Sequence, residues 1–269
     1  MFGDGTVKYR HGIAIAQVIT FSVSLAFSIW FYLRGCIGWF CIGMLSIIRL
    51  VGASCMLGTI NKDADGLWAG VFVCESLGMI LIIFLLLEML ERINKTHPTT
   101  PRLVFIIPQL LTWIDIGISI AGFIAVTHKE HALLPTPYSR TGIALIFAIY
   151  LWTVGVFLTF YLHRGSFATV EKKTCLCVAI CVPILAVRVT YSLIFVITAD
   201  MAWNAVKGDS SRYLGMTMVP ELGIVALCTW TILGIPALEK EKKKKKKKKR
   251  KGGKDVEGDA GSQEIPLVR

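Results

Sequence analysis

Residues 67–90 read LWAGVFVCESLGMILIIFLLLEML. A helix needs about 20 apolar residues to cross a hydrocarbon core roughly 30 Å thick, and this run meets that length while carrying Glu75 well inside it. Lipid offers backbone N–H and C=O groups no water, so a spanning run of this kind is helical. Working outward, apolar runs at 12–33 and 36–59 precede it, and runs at 103–126, 142–162, 175–199 and 213–238 follow. Only Arg34-Gly35 separates the first two, which leaves a re-entrant second segment open. The predicted fold is all-α, a polytopic membrane helix bundle with about seven transmembrane helices. Residues 1–238 form its transmembrane domain, and 239–269 a disordered, lysine-rich cytoplasmic tail.

Composition agrees with that pattern. Of the 269 residues, 54% are hydrophobic and 17% charged, against about 25% charged in an average soluble domain; mean hydropathy is +0.63. Much of the net charge of +11 sits in the run Lys242 to Lys251. Basic chains often bind nucleic acid. Here the run is appended to a membrane core, so the expected partner is anionic lipid at the membrane surface, with no nucleic-acid partner. The N-terminal MFGDGTVKYRHG lacks the segments of a cleavable signal peptide. Basic residues in the remaining loops divide evenly between the two sides. The lysine run breaks the tie and places the C-terminus in the cytoplasm and the N-terminus outside or lumenal.

Cys36, Cys41, Cys55, Cys74, Cys175, Cys177, Cys181 and Cys228 all fall within apolar runs or at their edges. They read as small buried hydrophobes with free thiols, with S-acylation open at Cys175 and Cys177 beside Lys172 and Lys173. No metal site follows from their spacing. All five histidines lie near or outside span ends, which argues against a zinc hydrolase built from intramembrane His and Asp. Without a lysine in mid-span there is no Schiff-base site, and without GxxxxGK[ST] there is no phosphate-binding loop. No cofactor is expected.

The informative residues are the charges inside the spans. A charged side chain at mid-bilayer costs about 2.5–3.5 kcal/mol on insertion scales. Arg49, Glu75, Asp115, Arg188 and Glu221 nevertheless occupy five different runs. At about 1.5 Å per residue they lie roughly 12–16 Å below one end of the bundle, in a single layer. Neighbours at helical spacing extend the same faces: Ser46 and Gly52 with Arg49, Thr112 and Ser119 with Asp115, Tyr191 and Ser192 with Arg188, Thr217 with Glu221. Gln17, Thr20, Ser24 and Ser28 add a polar stripe on the first run. Pro183 and Pro220 free carbonyls beside the charges. Two arginines against three carboxylates leave one acid to be protonated or cation-bound. Interhelical ion pairing alone would also account for the layer. The candidate ligand-binding residues are therefore Arg49, Glu75, Asp115, Arg188, Tyr191 and Glu221, with the arginines as anion anchors and the acids as counter-charges or proton carriers.

Tyr9-Arg10-His11-Gly12-Ile13-Ala14-Ile15-Ala16, Ile48-Arg49-Leu50-Val51-Gly52-Ala53-Ser54-Cys55, Val187-Arg188-Val189-Thr190-Tyr191-Ser192 and Pro220-Glu221, in that order, resemble a fungal family of seven-helix membrane proteins catalogued as a domain of unknown function. The resemblance extends to about Leu238 and implies a fungal source and no assigned activity. Arg188 and Tyr191 followed by an acid in the last run also resemble the RTA-like lipid-translocating exporters of fungi, although 192–198 lacks the further charges of that pattern. Three functions follow for testing. The first is a transporter-like or receptor-like binder of a small amphipathic or lipid molecule. The second is a terpene-cyclase-like enzyme protonating its substrate through Glu75 or Glu221, and the third a structural or accessory membrane protein.

Overall fold

The computed structural model describes residues 6–62, 64–126 and 137–235; the lysine run lies outside them. Among the described residues the fold is all-helical. Helices α1 (Tyr9–Arg34), α2 (Trp39–Gly58), α3 (Asp65–Thr96), α4 (Leu103–Val126), α5 (Pro137–Leu162) and α6 (Thr169–Thr198) precede α7 (Ser210–Leu233). All but α4 are long and apolar enough to cross a membrane on the described residues alone, and α4 carries the shorter apolar stretch Leu103–Ile118. The chain is a multi-pass membrane protein. Its outer surface fits that medium: Ile19, Trp113 and Trp230 are 62%, 69% and 78% exposed, a costly arrangement against water and a neutral one against lipid.

Helix ends follow local chemistry. Gly35 takes the left-handed conformation (φ 63°) that closes α1. The Cys36 N–H donates to Phe31 O and the Gly35 N–H to Tyr32 O, at 3.0 and 3.1 Å, a Schellman end. The chain then reverses, and α2 packs along α1 as an antiparallel hairpin. The second run is thus a full helix and no re-entrant loop. Gly38, at φ 77°, passes so close to α7 that a Cβ there would stand 2.8 Å from Ile232 Cδ1.

Several helices outrun their apolar stretches, because polar residues reach the interface without breaking the backbone pattern. α3 runs on to Thr96, with a Lys95–Glu91 ion pair of 3.0 Å one turn apart. Pro108 inside α4 removes the donor that Val104 O would receive; the indole Nε1 of Trp152 on α5 donates to that carbonyl instead, at 3.0 Å.

α3 is the hub of the bundle, in contact with α2, α4, α5, α6 and α7. Leu85, Leu86, Met89, Leu90 and Ile93 on it are fully buried in the main apolar cluster. α1 packs chiefly on α2, whereas α4 packs on α5 and α3. That arrangement determines which intramembrane charges meet.

Candidate functional site

Arg49 from α2 and Arg188 from α6 each bridge Glu75 of α3 and Glu221 of α7. Arg49 Nη1 lies 2.5 Å from Glu75 Oε1, and its Nη2 pairs with Glu221 Oε1. Arg188 Nη2 lies 3.0 Å from Glu75 Oε2, and its Nε 3.4 Å from Glu221 Oε1. The four side chains close a ring of alternating charge with no net charge. They are 0–6% exposed. Burying them separately would be prohibitive; in the ring each ion has two counter-ions. Arg188 Nη1 also donates to Ser192 Oγ at 3.2 Å, and Nη2 to the Glu75 carbonyl at 3.4 Å.

Local backbone makes the ring possible. Gly78 lies one turn after Glu75 on α3, where a Cβ would stand 2.6 Å from Arg49 Nη2. The missing side chain is the space in which the guanidinium lies. On α7, residues Leu214–Met218 form a π-helical stretch immediately before Val219-Pro220. Eight α-helical residues turn through about 800°, which would leave Tyr213 and Glu221 about 80° apart. The wider π turn rotates less per residue and closes that gap. The Tyr213 hydroxyl therefore donates to Glu75 Oε1 and accepts from Gln17 Nε2 of α1 at 2.9 Å. Arg10 stacks its guanidinium 4.4 Å from the Tyr213 ring centroid and donates to the carbonyls of Ala205 and Gly208. This ties α1 to the loop that leads into α7.

Two cavities flank the ring, and Glu75 lines both. The smaller, about 300 Å³ including its open mouth, lies among Arg10, Gln17, Arg49 and Tyr213. The larger, with about 510 Å³ including its open mouth, lies between α3, α5 and α6. Phe72, Met79, Ile143, Ile146 and Phe195 give it an apolar wall, and Ser76, Arg188 and Ser192 a polar one. Trp203 and Tyr191 close one end, their ring centroids 5.8 Å apart. Tyr191 is 1% exposed, and its hydroxyl has no hydrogen-bond partner among the described residues.

Of the residues singled out by sequence, Arg49, Glu75, Arg188 and Glu221 come together, with Tyr191 beside them. Asp115 does not join. It is buried on α4, and neither carboxylate oxygen has a protein partner among the described residues. Its helix, α4, packs against α3 and α5, away from α2 and α7. Glu75 and Glu221, the acids an acid-catalysed cyclase would use, are both engaged by arginine. The arginines in turn are each paired with both acids, so the ring carries no net positive charge with which to hold an anion, and among the described residues Arg49 Nε and Glu221 Oε2 are left without a partner. Tyr213 and Arg10 were missed as site residues. A regular helical wheel turns Tyr213 away from Glu221, and Arg10 sits before the first apolar run. Gln17 was visible as part of the polar stripe.

The family model described as "Domain of unknown function (DUF7702)" matches residues 7–239. The chain belongs to this family. The matched region contains all seven helices and both cavities. No curated protein and no solved structure matches the chain.

Proposed function

We propose that this member of the family is a receptor-like or transporter-like binder of a small amphipathic or lipid molecule, held in the cleft between α3, α5 and α6. The unpartnered Tyr191 hydroxyl in the wall of that cleft carries the reading. A buried hydroxyl without a partner costs about 1–3 kcal/mol, which a ligand acceptor group would recover. The apolar wall suits a hydrocarbon chain. The charge-neutral ring beside it favours an uncharged or zwitterionic headgroup over an anion. The likeness to fungal lipid-translocating exporters through Arg188 and Tyr191 points the same way.

The test is thermal unfolding of the purified chain in detergent with single-chain amphiphiles: a fatty alcohol, a fatty acid, a lysophosphatidylcholine and a sphingoid base. One uncharged or zwitterionic class is expected to raise Tm saturably, and Tyr191→Phe to abolish the rise while its basal Tm is no lower than the parent's. No saturable rise with any amphiphile, or an equal rise in Tyr191→Phe, overturns the reading. Transport is then distinguished from reception by flux of the bound class across proteoliposomes.

We place the N-terminus outside or in the lumen, which sets the cleft in the outer half of the bilayer, and assign the lysine run to the cytoplasmic membrane surface. Each basic residue near an anionic leaflet contributes about 1 kcal/mol. A peptide of residues 238–254 is expected to bind vesicles more tightly as anionic lipid rises and more weakly as salt rises. Binding indifferent to both removes the electrostatic role.

A further inference from the structure

Three cysteines outside the charged ring converge toward the other end of α6 and α7. Cys177 and Cys181 stand four residues apart on α6, hence on one face, and Cys228 meets them from α7. The three Sγ atoms all lie within 4.8 Å of one another, and all three residues are buried. Val178, Leu185, Val225 and Ile232 belong to the same apolar cluster, and the thiols are free of disulfides. Small apolar packing explains a buried cysteine. It does not require three sulfurs from two helices to face one point.

We propose that Cys177, Cys181 and Cys228 form a binding site for a soft, thiophilic cation, Cu(I), held by three sulfurs. A metal–sulfur bond of about 2.3 Å in a planar three-coordinate site separates the sulfurs by about 4.0 Å. A triad already within 4.8 Å reaches that geometry by small side-chain rotations. Zinc asks for four ligands in a structural site, and among the described residues no histidine or acid completes this group. Thiolate-only sites select soft ions such as Cu(I), while magnesium and calcium require oxygen. The thiolate is the form of cysteine that binds a metal, so each ligating thiol gives up its proton to solvent on binding. Three thiolates on one Cu(I) leave two negative charges in the apolar pocket, a desolvation cost that the three metal–sulfur bonds must offset.

The experiment uses the full chain in detergent under anaerobic conditions, with Cu(I) supplied as its acetonitrile complex against a chromophoric chelator. One equivalent per chain is expected to resist the chelator, with X-ray absorption reporting sulfur neighbours alone at about 2.3 Å. Cys181→Ser and Cys228→Ser are each expected to weaken retention at least about tenfold, while Cys36→Ser and Cys55→Ser leave it unchanged. Far-UV circular dichroism and elution volume are matched to the parent first, and Cys181→Ala and Cys228→Ala replace any serine variant that fails. The proposal is overturned by no retention in the parent, by equal retention when all three cysteines are alanine, or by oxygen or nitrogen neighbours in the absorption spectrum.

Discussion

Arg49 holds two carboxylates at once because a guanidinium presents five donors in a planar fork, which a lysine ammonium does not. Each acid of the ring likewise faces two cations, so every member is matched only while the other three remain. Glu221→Gln removes one charge and leaves two guanidinium groups sharing Glu75. We expect a loss of about 3–5 kcal/mol, the scale for breaking a buried pair from one side, read by denaturant unfolding in mixed micelles. Asp115→Asn, equally buried, is expected to stay within about 1 kcal/mol of the parent, since its carboxylate has no protein partner to lose among the described residues. Equal losses in the two variants would contradict the division of the five charges into a ring of four and a separate acid.

At the scale of the element, the decisive feature is the π-helical stretch of α7. It absorbs Pro220 and brings Tyr213 onto the face of Glu221. Inserting one alanine after Gly215 adds a residue between Tyr213 and Glu221 and turns Tyr213 by about 100°. In the parent, Tyr213→Phe is expected to cost about 1.5–3 kcal/mol, as for a hydrogen bond to a charged group. In the insertion background the same substitution is expected to cost nothing, a coupling that a double-mutant cycle measures. Additive losses would mean that the stretch does not set the direction of Tyr213. The α3–α4 connection is organised by Asn94, whose Nδ2 donates to Thr100 O at 2.8 Å while its Oδ1 accepts from the Thr99 and Thr100 N–H groups.

At the scale of the whole molecule, the same Asn94 belongs to the sequon Asn94-Lys95-Thr96 and bears on orientation. With the N-terminus outside, this connection faces the cytoplasm, and Asn94 is expected to stay unglycosylated. A mass shift on glycosidase treatment of the chain made in a eukaryotic host, lost in Asn94→Gln, would reverse the orientation and with it the placement of the cleft. The bundle otherwise divides into two halves of different chemistry. Toward the N-terminus lie the ring, Tyr213 and both cavities; toward the C-terminal ends of α3 and α7 lie the apolar cluster and the thiol triad. Polar atoms concentrate where the cavities are, and the close-packed end holds the helices in register.

The spans and the intramembrane charges were legible from the sequence because each answers a large penalty. Apolar runs of spanning length have no soluble alternative, and Arg49, Glu75, Arg188 and Glu221 are too expensive in lipid to stand without a partner. Their common depth was readable too, since rise per residue is fixed. The direction of each charge around its bundle was not. Which helices are neighbours depends on packing: it joins α2, α3, α6 and α7 around one ring and leaves Asp115 with α4 on another side. Tyr213 depends on a local change in helical pitch, which a regular periodicity does not register. The triad of Cys177, Cys181 and Cys228 was invisible for the opposite reason. A buried neutral thiol carries almost no desolvation penalty, so nothing in the sequence marks where three of them meet; only the packing of α6 against α7 does.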